Sequence, residues 1–170
     1  MRLSGARKQI YRHADMADLR RLLKEDHEAM GRADRHTGLK LIVSESLFSM
    51  DGDLAPLAAL ADLAEEFGAQ LIVDEAHATG LYGDFSAAVK GESASRGGGL
   101  VQELGLTDRV FATVHTGGKA LGAAAAWIAG DTKLKDYLVN HSRPFIFSTA
   151  VLTDLAHDPR PDERRVGKSA

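Results

Sequence analysis

Apolar positions along the chain follow two alternating patterns, a helical spacing and short runs that are apolar throughout. Met16, Leu19, Leu22, Leu23 and Met30 recur at roughly helical intervals, with Asp15 placed to cap the first turn and Gly31 near the end. Residues 39–44 (LKLIVS) then predict a strand. A turn signal follows at Met50-Asp51-Gly52-Asp53. Pro56 opens a second helix with Leu57, Leu60, Ala61, Ala64 and Phe67 on one face, and Gly68 is its stop. Leu71, Ile72 and Val73 form a second buried strand that ends in the carboxylate of Asp74. Residues 110–114 make a third strand, and residues 123–129 a fourth whose alanines would suit a helix as well; 131–140 close as a helix. Helices alternating with solidly apolar strands predict an α/β fold, a mostly parallel sheet with helices on both faces.

Between these elements, residues 84–99 lapse into small and polar residues that end in Gly97-Gly98-Gly99, which predicts a mobile surface loop or insertion. Residues 153–170 are charged, carry two prolines and have no periodicity, so a disordered tail is expected after a single unit spanning 1–152. The length of 170 residues suits one domain. With 21 Lys+Arg against 24 Asp+Glu, the net charge of -3 gives no electrostatic footprint for nucleic acid. No apolar run is long enough to cross a membrane, and the start, Met1-Arg2-Leu3-Ser4, lacks the apolar stretch of a signal peptide. Cysteine is absent, which removes disulfides, thiolate nucleophiles and the usual zinc sites and fits a reducing compartment. The expectation is a cytoplasmic protein.

Three positions lie just after apolar strands, where open α/β sheets hold their ligands: Ser49, the Asp74 and His77 pair, and Lys119. Asp74-Glu75-Ala76-His77 matches the letters of a DEAH-type ATPase motif. That chemistry needs an earlier glycine-rich phosphate loop ending in Lys and a hydroxyl residue. Both Gly-Lys pairs, Gly118-Lys119 and Gly167-Lys168, come after the acidic motif, and Gly118-Lys119 is followed by Ala120. In a second reading Asp74 meets a pyridinium nitrogen and keeps it protonated, while Lys119 forms a Schiff base, as in pyridoxal phosphate enzymes. Thr116 offers a hydroxyl to a phosphate. Each residue also has a plainer reading: Asp74 as a helix cap, Ser49 as the start of a turn, His77 as a packing residue, Lys119 as a solvated loop residue. His115 has no assigned task, Trp127 reads as core or interface, and Arg143 as a holder of backbone or of a carboxylate.

Four segments in order resemble the α-oxoamine synthases, fold-type I pyridoxal phosphate enzymes. They are Phe48-Ser49-Met50-Asp51-Gly52-Asp53, Val73-Asp74-Glu75-Ala76-His77-Ala78-Thr79-Gly80, Thr116-Gly117-Gly118-Lys119-Ala120-Leu121-Gly122 and Arg143-Pro144-Phe145-Ile146-Phe147-Ser148-Thr149-Ala150. By this resemblance the cofactor is pyridoxal 5'-phosphate and Lys119 is the Schiff-base lysine and proton shuttle. Asp74 pairs with the ring nitrogen, and His77 bonds the phenolic oxygen. Ser49 and Thr116 contact cofactor oxygens, and Ser148 with Thr149 reach the phosphate of the neighbouring subunit in a homodimer. The implied reaction is decarboxylative condensation of an amino acid with an acyl-CoA or acyl-carrier thioester. Alanine with a pimeloyl thioester, as in biotin synthesis, stands first, and glycine with acetyl-CoA or serine with a long acyl thioester are rivals. The resemblance covers only the middle of the family's large domain and departs from its pattern at Gly117, where an apolar side chain is usual. A non-catalytic remnant of the family is therefore the other expectation.

Overall fold

The structure is a computed structural model, and it describes residues 4–32, 38–83 and 97–149. Residues 84–96 of the loop expected at 84–99, and the tail expected at 153–170, lie outside the described residues. Helix α1 runs over Met16–Arg32, strand β1 over Leu41–Glu45, helix α2 over Leu57–Glu66 and strand β2 over Gln70–Asp74. They are followed by the short helix α3 at Leu100–Glu103, strand β3 at Ala112–Thr116, strand β4 at Ala126–Gly130, helix α4 at Thr132–His141 and a last turn of helix, α5, at Arg143–Ile146. A single 3-10 turn, Thr107–Arg109, leads into β3.

The helix ends follow from local chemistry. At the start of α1 the Asp15 carboxylate accepts from the Asp18 amide at 2.9 Å, satisfying a donor that the helix leaves free, and Asp18 reaches back to the Arg12 amide of the preceding segment at 2.9 Å. Pro56 stands just outside α2 rather than within its first turn. Gly68 ends that helix with φ +60, and the Ala69 amide donates to the Ala64 carbonyl at 2.8 Å. That is the left-handed stop for which glycine is suited. Asp131 caps α4 by accepting from the Leu134 amide at 2.7 Å.

The four strands lie in the order β1-β2-β3-β4. β1, β2 and β3 are parallel, with Val43 opposite Ile72 and Asp74 opposite Val114. β4 turns back antiparallel on β3 and places Trp127 opposite His115. Because side chains alternate across a sheet, each strand has one residue set per face. Ile42, Leu71 and Val73 face α1 and α2 and join Leu19, Leu57, Leu60 and Ala61 in one core. On the other face Leu41, Val43 and Ile128 remain 48%, 37% and 51% exposed. Gly97 and Gly99, expected at the surface, are buried instead. Among the described residues no helix is long and apolar enough to cross a membrane.

Candidate active site

Three parallel strands that end at one sheet edge bring their following loops together. Ser49 follows β1, the turn 75–80 follows β2, and Thr116 with the Lys119 loop ends β3. The sequence signals lie along this edge because each strand delivers one loop to it.

The β1 loop is folded back on itself: the Gly52 amide donates to the Phe48 carbonyl at 2.8 Å and the Phe48 amide to the Asp53 carbonyl at 3.0 Å. His13 pins it from outside, with Nε2 at 2.9 Å from Asp53 Oδ2 and its ring edge-on to Phe48 at 4.4 Å. The hydrogen bond with Asp53 raises the His13 pKa above the ordinary histidine value. Ser49 is exposed on this loop.

The turn after β2 is built around Glu75, which is completely buried. Its carboxylate accepts from the Ser46 hydroxyl at 2.6 Å and from the amides of Leu100 and Val101 at 3.1 and 2.7 Å. These charge-assisted bonds join the β1 loop, the β2 turn and the start of α3. Glu75 had no assigned role in the sequence, since its amide partners lie far along the chain. Asp74 Oδ1 accepts from the Ala76 amide at 2.9 Å, a local turn contact of the kind its plainer reading anticipates. Asp74 Oδ2 has no hydrogen-bond partner among the described residues and remains available. His77 is half-buried, and its ring makes no hydrogen bond among the described residues.

Gly80 is where three segments meet. Its amide donates to the Gly97 carbonyl at 2.8 Å. A Cβ on it would stand 3.2 Å from both Ala120 Cβ and Leu121 Cδ2, the two residues after Lys119. Its φ of +83 is left-handed. The lysine loop is closed by its own backbone: the Gly117 amide donates to the Ala125 carbonyl at 2.7 Å and the Ala123 amide to the Gly117 carbonyl at 2.9 Å. A side chain at Gly117 would come within 2.6 Å of the Ala123 carbonyl, which gives a steric reason for glycine there. Lys119 is exposed on this loop.

Thr116 Oγ1 is shielded from water and has no hydrogen-bond partner among the described residues. An orphaned hydroxyl is costly, by about 1–3 kcal/mol. It marks a place where an oxygen-rich group would fit. Ser148 and Thr149 are exposed beyond α5, with the Ser148 hydroxyl turned back to the Pro144 carbonyl. Among the described residues no hydrogen bond links either of them to Asp74, Thr116 or Lys119.

His115, left without a task by the sequence, is buried at the end of β3. Its Nδ1 lies 2.8 Å from Thr79 Oγ1, its Nε2 lies 2.8 Å from Thr113 Oγ1, and its ring stacks on Trp127 at 5.2 Å. Burial lowers its pKa, against the opposing pull of Glu75 and Asp74.

Comparison with known proteins places these features in context. The family model for aminotransferase class I and II matches residues 1–157. An 8-amino-7-oxononanoate synthase from Anaeromyxobacter sp. strain Fw109-5 is 46% identical over 148 residues, which cover 87% of this chain and 32% of that protein. Among solved structures, 8-amino-7-oxononanoate synthase from Francisella tularensis aligns with TM-score 0.64 and 25% identity over 88% of this chain and 37% of its own. A serine palmitoyltransferase from S. paucimobilis with a bound PLP-myriocin aldimine aligns with TM-score 0.65 and 28% identity over 83% of this chain and 31% of its own. The chain spans about a third of the length of the curated relatives it matches.

Proposed function

The chain belongs to the aminotransferase class I and II family, and from that premise we propose that it is the central part of a pyridoxal 5'-phosphate-dependent acyltransferase that condenses an amino acid with an acyl thioester and releases carbon dioxide. The observation that carries this reading is the buried, unpartnered Thr116 hydroxyl, set at the same sheet edge as Asp74 and the lysine loop. When bound, the cofactor supplies an electron sink for the bond broken at the amino acid's α-carbon. Asp74 Oδ2 would hold a proton on the ring nitrogen, and Thr116 Oγ1 would donate to a phosphate oxygen. Lys119 Nζ would tether the cofactor and carry a proton. His77 would donate to the ring's oxygen, and Ser49 would border the site from the β1 loop. Ser148 and Thr149, exposed and without a hydrogen bond to this cluster among the described residues, serve a partner subunit in a homodimer. Relatives named 8-amino-7-oxononanoate synthase at 46% identity support alanine and a pimeloyl thioester as substrates, hence a cytoplasmic step of biotin synthesis.

A second reading is a remnant that folds without retaining cofactor. The exposed sheet face at Leu41, Val43 and Ile128 favours it. One experiment separates the two. Pyridoxal 5'-phosphate is added to the purified chain, with Lys119→Ala as control, and the visible absorbance is recorded. A band that requires Lys119 and weakens in Thr116→Val is expected of the enzyme. Identical spectra for the chain and its lysine variant would leave the remnant.

A further inference from the structure

We propose that His115 is a positioning residue for the cofactor end of the site, tying Thr79 to β3 and so holding the turn that carries His77 against the lysine loop. This rests on the reading above, in which that turn and loop receive the cofactor.

The direction of the hydrogen bonds follows from counting protons. Thr79 has a single hydroxyl hydrogen, and its Oγ1 lies 2.7 Å from the Glu75 carbonyl, which can only accept. That hydrogen is committed, so Thr79 Oγ1 must accept from His115 Nδ1, 2.8 Å away. His115 is therefore assigned as the Nδ1–H tautomer from the network around it. In the neutral ring Nε2 accepts from the Thr113 hydroxyl at 2.8 Å. The result is a one-way chain from Thr113 through the imidazole and Thr79 to the Glu75 carbonyl. It runs from β3 into the turn after β2.

The packing shows what the chain holds in place. Trp127, opposite His115 in the β3–β4 register, stacks on the imidazole with an interplanar angle of 5°. The charged groups acting on the ring are the carboxylates of Glu75 and Asp74, and no described cation opposes them. Thr79 directly precedes Gly80, where an added Cβ would stand 3.2 Å from Ala120 Cβ and Leu121 Cδ2 of the lysine loop, so the turn runs close beside that loop. On the other side, Thr116 follows His115 in sequence. Beside the backbone bond from the Glu75 amide to the Val114 carbonyl at 2.8 Å, the His115 side chain thus adds a tie further along the turn, between Thr79 and the strand that delivers Thr116 and Lys119.

Two substitutions separate this role from general support of the fold. His115→Phe keeps a flat ring on Trp127 and loses both hydrogen bonds, while His115→Asn restores a donor near the Nδ1 position. Both are made in the full chain. Amide exchange over residues 76–80 is followed by mass spectrometry, and pyridoxal 5'-phosphate affinity is read from the Lys119-dependent band. The Phe variant is expected to speed exchange and weaken affinity by about three- to tenfold, as for one lost hydrogen bond, and Asn is expected to recover most of both. Should the Phe variant not fold, His115→Gln takes its place, since its amide reaches towards Thr113 and not Thr79. Equal behaviour of Asn and Phe, or unchanged exchange at 76–80 in Phe, overturns the assignment. If the unsubstituted chain gives no lysine-dependent band, the cofactor reading falls, and the exchange comparison alone decides whether His115 holds the turn.

Discussion

The Ser46 hydroxyl donates to the Glu75 carboxylate at 2.6 Å, and both side chains are sealed from solvent. Through this bond the loop after β1 is fastened to the turn after β2. The same carboxylate gathers the two amides that open α3.

Replacing Glu75 by Gln keeps the shape and removes one acceptor oxygen. At least one of the three donors then loses its partner, and the amide group adds a donor of its own. A loss of about 1–3 kcal/mol is expected. In urea this would appear as a lower midpoint with an unchanged slope. Ser46→Ala removes a donor and leaves the two amide bonds in place, so it should cost less, about 1 kcal/mol.

Gly99 sits against the same carboxylate. Its φ is +104, and a Cβ there would stand 2.7 Å from Glu75 Cδ. Gly99→Ala combines left-handed strain with a buried clash and is expected to cost at least about 2 kcal/mol. Gly118, whose Cβ would meet nothing within 4 Å, is the control: Gly118→Ala should stay within about 0.5 kcal/mol. Thermal unfolding of the two variants checks the contrast.

The two helix caps should differ in weight. Asp15→Ala leaves the Asp18 amide without its partner at the head of a helix that buries Leu19 and Leu23. A loss of about 1 kcal/mol is expected. Asp131→Ala acts on α4, which has no buried residues, so fraying of that helix is expected with a smaller effect on global stability. Circular dichroism and denaturant midpoints, measured on both variants, would separate local from global loss.

Much of this architecture was legible because it is local. Asp15, Gly68 and Asp131 announce their helix ends through side chain or backbone chemistry within a few residues. Leu71, Ile72 and Val73 announce β2 by composition. The fourth strand begins at Ala126 rather than at 123, because residues 123–125 are used to close the loop around Gly117. Glu75 and His115 were not legible in the same way. Their partners, Leu100, Val101 and Thr79, are distant in sequence, and only folding shows that a motif glutamate is a buried acceptor and a strand histidine a clamp.

His115 also gives the protein an acid limit. Its folded pKa is lowered by burial, so between the ordinary value of about 6.5 and the folded value the unfolded chain binds the extra proton. Stability is retained above about pH 6.5 and falls as the pH drops through the folded pKa. Trp127 is the one tryptophan in the chain and stacks on this ring, so its emission should change with the same midpoint. The step should vanish in His115→Phe. A titration of Trp127 emission centred above pH 6.5 would contradict the burial argument.

The one antiparallel strand pair among the described residues, β3 with β4, has a consequence for how the chain folds. It joins strands that are neighbours in sequence, whereas β1, β2 and β3 pair only across long crossovers. Closing a short loop loses less chain entropy, so the hairpin bearing Thr116 and Lys119 is expected to nucleate first. Pairing of Asp74 with Val114 follows, and only this later step brings the end of β2 beside the strand that leads into the lysine loop. Folding-rate measurements should then give φ-values near 1 for substitutions in the hairpin and near 0 at the contact of Ile72 with Ala112.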